Sequence, residues 1–139
     1  MSLTLPSKCE ISFDFWSNNT LANGEHRFFL LPKAQFSTGT TQPQYGLYVD
    51  QMGSNKGNLG KRENNSTVNI LSKFDLTGST NHTVKWERDG TTVKIYVDGT
   101  LKDTQTLSWI GNYTDYCFSM MRWSASGTSK MKNAKIKAV

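Results

Sequence analysis

The chain has 139 residues, 36% hydrophobic, 19% charged and 12% aromatic, which is enough for one domain with a sizeable core and too little for two. Three prolines and eleven glycines exclude a collagenous or low-complexity chain, and the longest bare apolar run, Phe28-Phe29-Leu30-Leu31, excludes a membrane helix of about 20 residues. The formal charge of +5 is scattered, with two local groupings, Lys56/Lys61/Arg62 and Lys130/Lys132/Lys135/Lys137, rather than gathered in one basic helix or motif, which argues against nucleic acid as partner.

The opening residues carry neither a basic nor an apolar leader region. The expectation is a single domain over 1–139, cut from a longer protein, with residues 1–3 a candidate expression remnant. Cys9 and Cys117 allow one disulfide and no zinc cluster on their own, and two free, buried thiols are the expected state.

No window holds a 3.6-residue apolar period; short alternating runs separated by Gly, Asn, Asp and Ser predict strands instead. The first covers Glu10–Trp16, with Ile11, Phe13 and Phe15 on one face and Asp14 and Trp16 on the other, and stops at Ser17-Asn18-Asn19. Strands follow at Arg27–Lys33, Tyr45–Gln51 and Thr67–Lys73, with a polar connection over Ala34–Pro43 and a long glycine-rich loop over Asp50–Ser66. From His82 to Thr106 three alternating runs are joined by Asp89-Gly90 and Asp98-Gly99, and Asp-Gly between such runs is a strong hairpin signal. Cys117–Trp123 and Met131–Val139 complete nine or ten strands, and an antiparallel sandwich or barrel follows. In the last strand Lys135 and Lys137 share a face opposite Ala134, Ile136 and Ala138; lysines there serve first to deter edge-to-edge pairing, with mild attraction to an acidic surface such as an anionic glycan as the alternative.

Three stretches carry a family resemblance: Glu10-Ile11-Ser12-Phe13-Asp14-Phe15, the meander from His82 through Tyr96-Val97-Asp98-Gly99, and the closing Met131-Lys132-Asn133-Ala134-Lys135-Ile136. Together they resemble the concanavalin A-like lectin and glucanase superfamily, particularly its laminin-G-like branch, over nearly the whole chain. The resemblance implies an all-β jelly roll, two curved antiparallel sheets with the first and last strands side by side, and a glycan or protein partner on the concave face or rim. The compact form is similar to modules appended to phage tail and microbial surface proteins, which implies a virion or cell-surface location.

Activity must be argued from residues, because one fold hosts many functions. The glucanase pattern Glu-x-Asp-x-x-Glu is absent, and Glu10 and Asp14 stand about 13 Å apart along one strand, beyond the range of about 5–9.5 Å that glycosidase carboxylates need. No Gly-x-Ser-x-Gly elbow accompanies His26 or His82, and His82 reads as the residue that opens its strand. Gly60-Lys61-Arg62 lacks the remaining P-loop glycine. The expectation is a protein without catalytic residues. Asp50, Asn112 and Asp115 are the candidate calcium oxygens, but no Asp-x-Asp-x-Asp loop gathers them, so neither calcium nor another cofactor is expected.

Sugar recognition stacks aromatic faces on pyranose rings and reads hydroxyls with carboxylates, amides and cations. Strand parity keeps Trp86 inside and turns Asp14, Trp16, Tyr48, Lys85, Glu87, Tyr96 and Trp123 outward as the candidate binding set. The leading expectation is a carbohydrate-binding or cell-surface adhesion module, with no membrane insertion and with further domains of a parent protein as partners. The alternatives are a divergent glycoside hydrolase, which needs a buried carboxylate pair, and a structural module that binds only protein, which needs a large exposed apolar patch.

Overall fold

A computed structural model of the protein describes residues 2–17, 25–38, 41–52, 56–75, 81–123 and 127–139. Eleven strands are present among them: β1 (Leu3–Thr4), β2 (Lys8–Ser17), β3 (Glu25–Pro32), β4 (Gly46–Met52), β5 (Lys56–Glu63), β6 (Ser66–Asp75), β7 (His82–Asp89), β8 (Thr92–Val97), β9 (Thr100–Thr106), β10 (Asp115–Trp123) and β11 (Ser129–Ala138). One 3-10 turn, Lys33–Gln35, lies in the polar connection expected there. The strands form two antiparallel sheets, a six-stranded one in the order β1-β10-β3-β4-β5-β6 and a five-stranded one in the order β11-β2-β7-β8-β9. The first long strand, β2, and the last, β11, are neighbours, as the resemblance implied.

Alternation builds the core. Ile11, Phe13 and Phe15 of β2, Val84 and Trp86 of β7, and Val93, Ile95 and Val97 of β8 face Phe28, Leu30, Leu47, Val49, Leu59 and Tyr116 of the other sheet. Aromatic rings lock the layers together edge to face, Phe13 on Phe118 with centroids 6.1 Å apart and Phe15 on Phe28 at 5.5 Å. Within the five-stranded sheet Phe13 also meets Trp86 at 5.0 Å, a geometry worth about 0.5–1.5 kcal/mol beyond its buried area. Cys9 lies in this core and Cys117 on the other side of the six-stranded sheet, both free.

Two expectations about turns are sharpened. Asp89 pairs with Thr92, so the β7–β8 loop is Gly90-Thr91, and a positive φ at Gly90 alone makes a type II′ turn. Asp98 and Gly99 both have positive φ, the type I′ form expected of Asp-Gly.

One expectation is overturned. Asp50–Ser66 is not a loop: β4 runs on to Met52, and β5 fills the stretch over Lys56–Glu63. A positive-φ pair, Asn64-Asn65, turns β5 into β6. Glycines made this strand unreadable, yet two of them are packing requirements. A Cβ on Gly57 would lie 2.3 Å from the Phe74 ring, and one on Gly60 would lie 2.0 Å from that of Tyr48.

The register also shifts in β11. Lys132 pairs with Asp14 and Lys135 with Ser12, so Asn133 and Ala134 form a bulge, with Asn133 at φ 53°. The expected stop after Ser17 holds for the strand, and Asn18 and Asn19 lie outside the described residues.

Candidate functional site

Five of the seven predicted binding residues share the outer face of the five-stranded sheet. Asp14 and Trp16 come from β2, Lys85 and Glu87 from β7, and Tyr96 from β8. Lys85 stands directly opposite Tyr96, with its ammonium 4.3 Å from the ring centre. The same ammonium lies 3.4 Å from Glu87 and 3.9 Å from Glu10. At the far end of β2, the Lys130 ammonium lies 5.1 Å from the Trp16 ring. Asp14, between the two rings, accepts hydrogen bonds from Thr83 Oγ1 at 3.1 Å and Asn133 Nδ2 at 2.7 Å. The register puts Trp16 four residues along and two strands across from Tyr96, a diagonal of about 16 Å.

The other two belong to the second sheet. Tyr48 lies on β4, on the outer face as expected, but it is only 1% exposed and offers no ring to a sugar. It packs edge-on against Phe29 in an apolar cluster with Leu31, Cys117 and Met121. Trp123 lies on β10 opposite Glu25, and its side chain is outside what is described. The seven therefore do not form one face. Parity separates inside from outside, but it cannot say to which of two sheets a strand belongs.

Around Tyr48 sits a polar network that the sequence did not announce. The Arg27 guanidinium lies 4.1 Å from the Tyr48 ring centre and donates from Nε to Asp50 at 3.1 Å. Asn58 donates to the other Asp50 oxygen at 2.6 Å, while Gln42 accepts from Arg27 and from Arg62. Burial, and then the neighbouring Arg27 charge, pull the Arg62 guanidinium below its usual range. Its members lie on separate strands or in the polar connection, so spacing gave no signal. Asp50, one of the calcium candidates, is thus engaged by Arg27 and Asn58. Asp115 pairs with Thr4, about 20 Å from Asp50's neighbours along β10. Asn112 and Asp115 instead line a wide depression of about 510 Å³ with Lys33, Ala34, Tyr113 and Thr114. Among the described residues no three His, Cys, Asp or Glu side chains converge as metal ligands.

Two histidines are held by partners. His26 is 2% exposed; its Nδ1 is hydrogen-bonded to the Ser129 hydroxyl, which lies 2.5 Å from that of Ser17. Burial first, and the Arg122 charge second, push the imidazole below its ordinary range. His82 opens β7, as expected, with Nδ1 2.7 Å from Asp98. For Asp98, burial works upward, but hydrogen bonds from His82 and the Thr83 amide outweigh it and hold the carboxyl below its usual value. Among the described residues two carboxylates meet where Glu10 pairs directly with Glu87 across β2 and β7. Both side chains are about a third exposed, at 35% and 37%, on an open face with an ammonium between them. A glycosidase acid is kept protonated by an apolar pocket, which is missing around this pair.

The sequence matches no family model and no curated protein. Among solved structures the chain is similar to alginate lyase AlgAT5 of polysaccharide lyase family 7, with a TM-score of 0.63 and 16% identity over 100% of this chain and 63% of the lyase. It is similar to the carbohydrate-binding module CBM66 from Bacillus subtilis, with a TM-score of 0.60 and 14% identity over 96% of this chain and 76% of the module. It is also similar to sheep galectin-11, with a TM-score of 0.58 and 10% identity over 99% and 95% of the two chains. The chain thus spans just under two thirds of the lyase's length. The fold is the concanavalin A-like jelly roll that the resemblance implied.

Proposed function

We propose that the protein is a non-catalytic carbohydrate-binding module, with its ligand laid across the outer face of the five-stranded sheet. The observation that carries this reading is the face itself: two half-buried rings, Trp16 and Tyr96, about 16 Å apart, with Asp14 between their levels, Lys85 beside Tyr96 and Glu87 one pair beyond it. Rings supply stacking faces, and the carboxylates and ammonium around them read hydroxyl positions. Lys130 beside Trp16 is exposed, and such a lysine contact is weak enough for a sugar to displace, while Lys85, held by Glu87 and Glu10, stays beside Tyr96 to read a hydroxyl. Likeness in fold to a carbohydrate-binding module and a galectin supports the reading. The resemblance to modules of phage tails and microbial surface proteins supports an adhesive role outside the cell.

Affinity electrophoresis against a panel of neutral and acidic glycans tests it. Trp16→Ala and Tyr96→Ala each weaken binding about tenfold, in line with stacking worth about 1 kcal/mol or slightly more. Retention unchanged by both substitutions removes this face from the site. The absence of catalysis is tested on the same panel by assaying new reducing ends. Cleavage that disappears in Glu87→Gln would replace the binding module with a hydrolase built on Glu10 and Glu87.

A further inference from the structure

The five-stranded sheet ends at β11, and this edge strand carries four exposed lysines, Lys130, Lys132, Lys135 and Lys137. In an unbroken strand the first two face away from the last two, because Lys135 lies three positions past Lys132, an odd offset. The bulge at Asn133 and Ala134 cancels that inversion. Lys130 sits beside Trp16, Lys132 beside Asp14, Lys135 beside Ser12 and Lys137 beside Glu10, at every second residue of β2. Met131 and Ile136, on either side of the bulge, both pack against the core, so all four lysines point to the outer face. They stand about 6.7 Å apart in single file over about 20 Å. The bulge is held by the left-handed backbone of Asn133 and by its amide hydrogen bond to Asp14.

The two neighbouring acids, Asp14 beside Lys132 and Glu10 beside Lys137, form no ion pair with this file. Asp14 is engaged by Thr83 and Asn133, and Glu10 faces Lys85. Among the described residues Lys132, Lys135 and Lys137 make no ion pair, and Lys130 meets only the Trp16 ring. Deterring edge-to-edge pairing requires charge on the edge strand but not its alignment on one face. A straight row of free ammonium groups with an aromatic ring at one end matches a thin, linear polyanion made of sugars. A duplex about 20 Å across would press its phosphates onto Glu10, Asp14 and Glu87 on the adjoining strands. A single nucleic-acid strand needs a succession of stacking rings, and this row has one.

Resting on the carbohydrate-binding reading, we propose that the β11 lysine file selects acidic polysaccharides, seating successive uronate carboxylates while Trp16 stacks on a terminal ring. The experiment is titration calorimetry at low salt with oligogalacturonate, a neutral β-glucan oligomer and an oligothymidylate. Lys132→Glu/Lys135→Glu, still charged at the edge, binds oligogalacturonate at least about tenfold more weakly than the native chain. Lys132→Arg/Lys135→Arg keeps the affinity, and thermal melts confirm that both variants fold. The proposal is overturned by undiminished oligogalacturonate binding in the Glu variant, or by tighter binding of oligothymidylate than of oligogalacturonate. Binding of the neutral glucan without the uronate sinks this inference alone and leaves the module reading standing. Binding of neither glycan sinks both.

Discussion

His26 joins the two sheets by polar contact: it stands on β3 of one sheet, and its hydroxyl partners Ser17 and Ser129 stand on β2 and β11 of the other. Because burial lowers its proton affinity in the folded state, the unfolded chain binds more protons here than the folded one once pH falls to about 6.5. The contribution of this group to stability is therefore complete above about pH 6.5 and is lost as pH falls through the lowered folded value. One proton taken up on unfolding gives a slope of at most about 1.4 kcal/mol per pH unit. Denaturant midpoints between pH 7.5 and 5 should fall in the native chain and fall less in His26→Gln. Equal slopes in the two would remove His26 as the source. Asp98, whose carboxyl is held down, acts in the same direction but in a lower window, below about pH 4, so the two are separable.

At the scale of the element, β5 shows why a strand can escape a reading by propensity. Lys56–Glu63 has one apolar side chain, Leu59, and two glycines, so it has neither alternation nor β-branched residues. Its place is set by neighbours: Leu59 enters the core, and Gly60 makes room for the Tyr48 ring directly opposite. Gly60→Ala forces that ring out from between the strand and the Arg27 guanidinium and costs about 1–3 kcal/mol, measured by chemical denaturation. In a Tyr48→Ala background the same substitution should cost little, and additive losses in the double-mutant cycle would contradict the contact. Strands with clear alternation, β2, β7 and β8, were legible to within a residue or two, as was the inward direction of Phe13, Phe15 and Trp86. What alternation could not supply was the assignment of strands to sheets. That is why Tyr48 was grouped with Tyr96, although long-range pairing puts the two in different sheets. The Arg27–Asp50–Asn58 network was hidden for the same reason, since three strands contribute to it.

On the whole molecule, the formal charge of +5 changes meaning once the strands are placed. Four of the lysines, Lys130, Lys132, Lys135 and Lys137, are grouped in the sequence, and the bulge brings all four to one face; replacing them with glutamine leaves +1. These four lie on an edge whose unpaired backbone groups would otherwise offer a template to a second chain. The bulge twists the same edge and interrupts its ladder, a second barrier to pairing. If charge is the larger barrier, the fourfold glutamine variant still folds, since exposed substitutions of this kind each change stability by about 0.5 kcal/mol or less. It should nevertheless associate, because neither net repulsion nor edge lysines then oppose contact. Sedimentation velocity at matched ionic strength, over a concentration series, separates these effects. A variant that sediments as the native chain does at every concentration would assign the protection to the bulge.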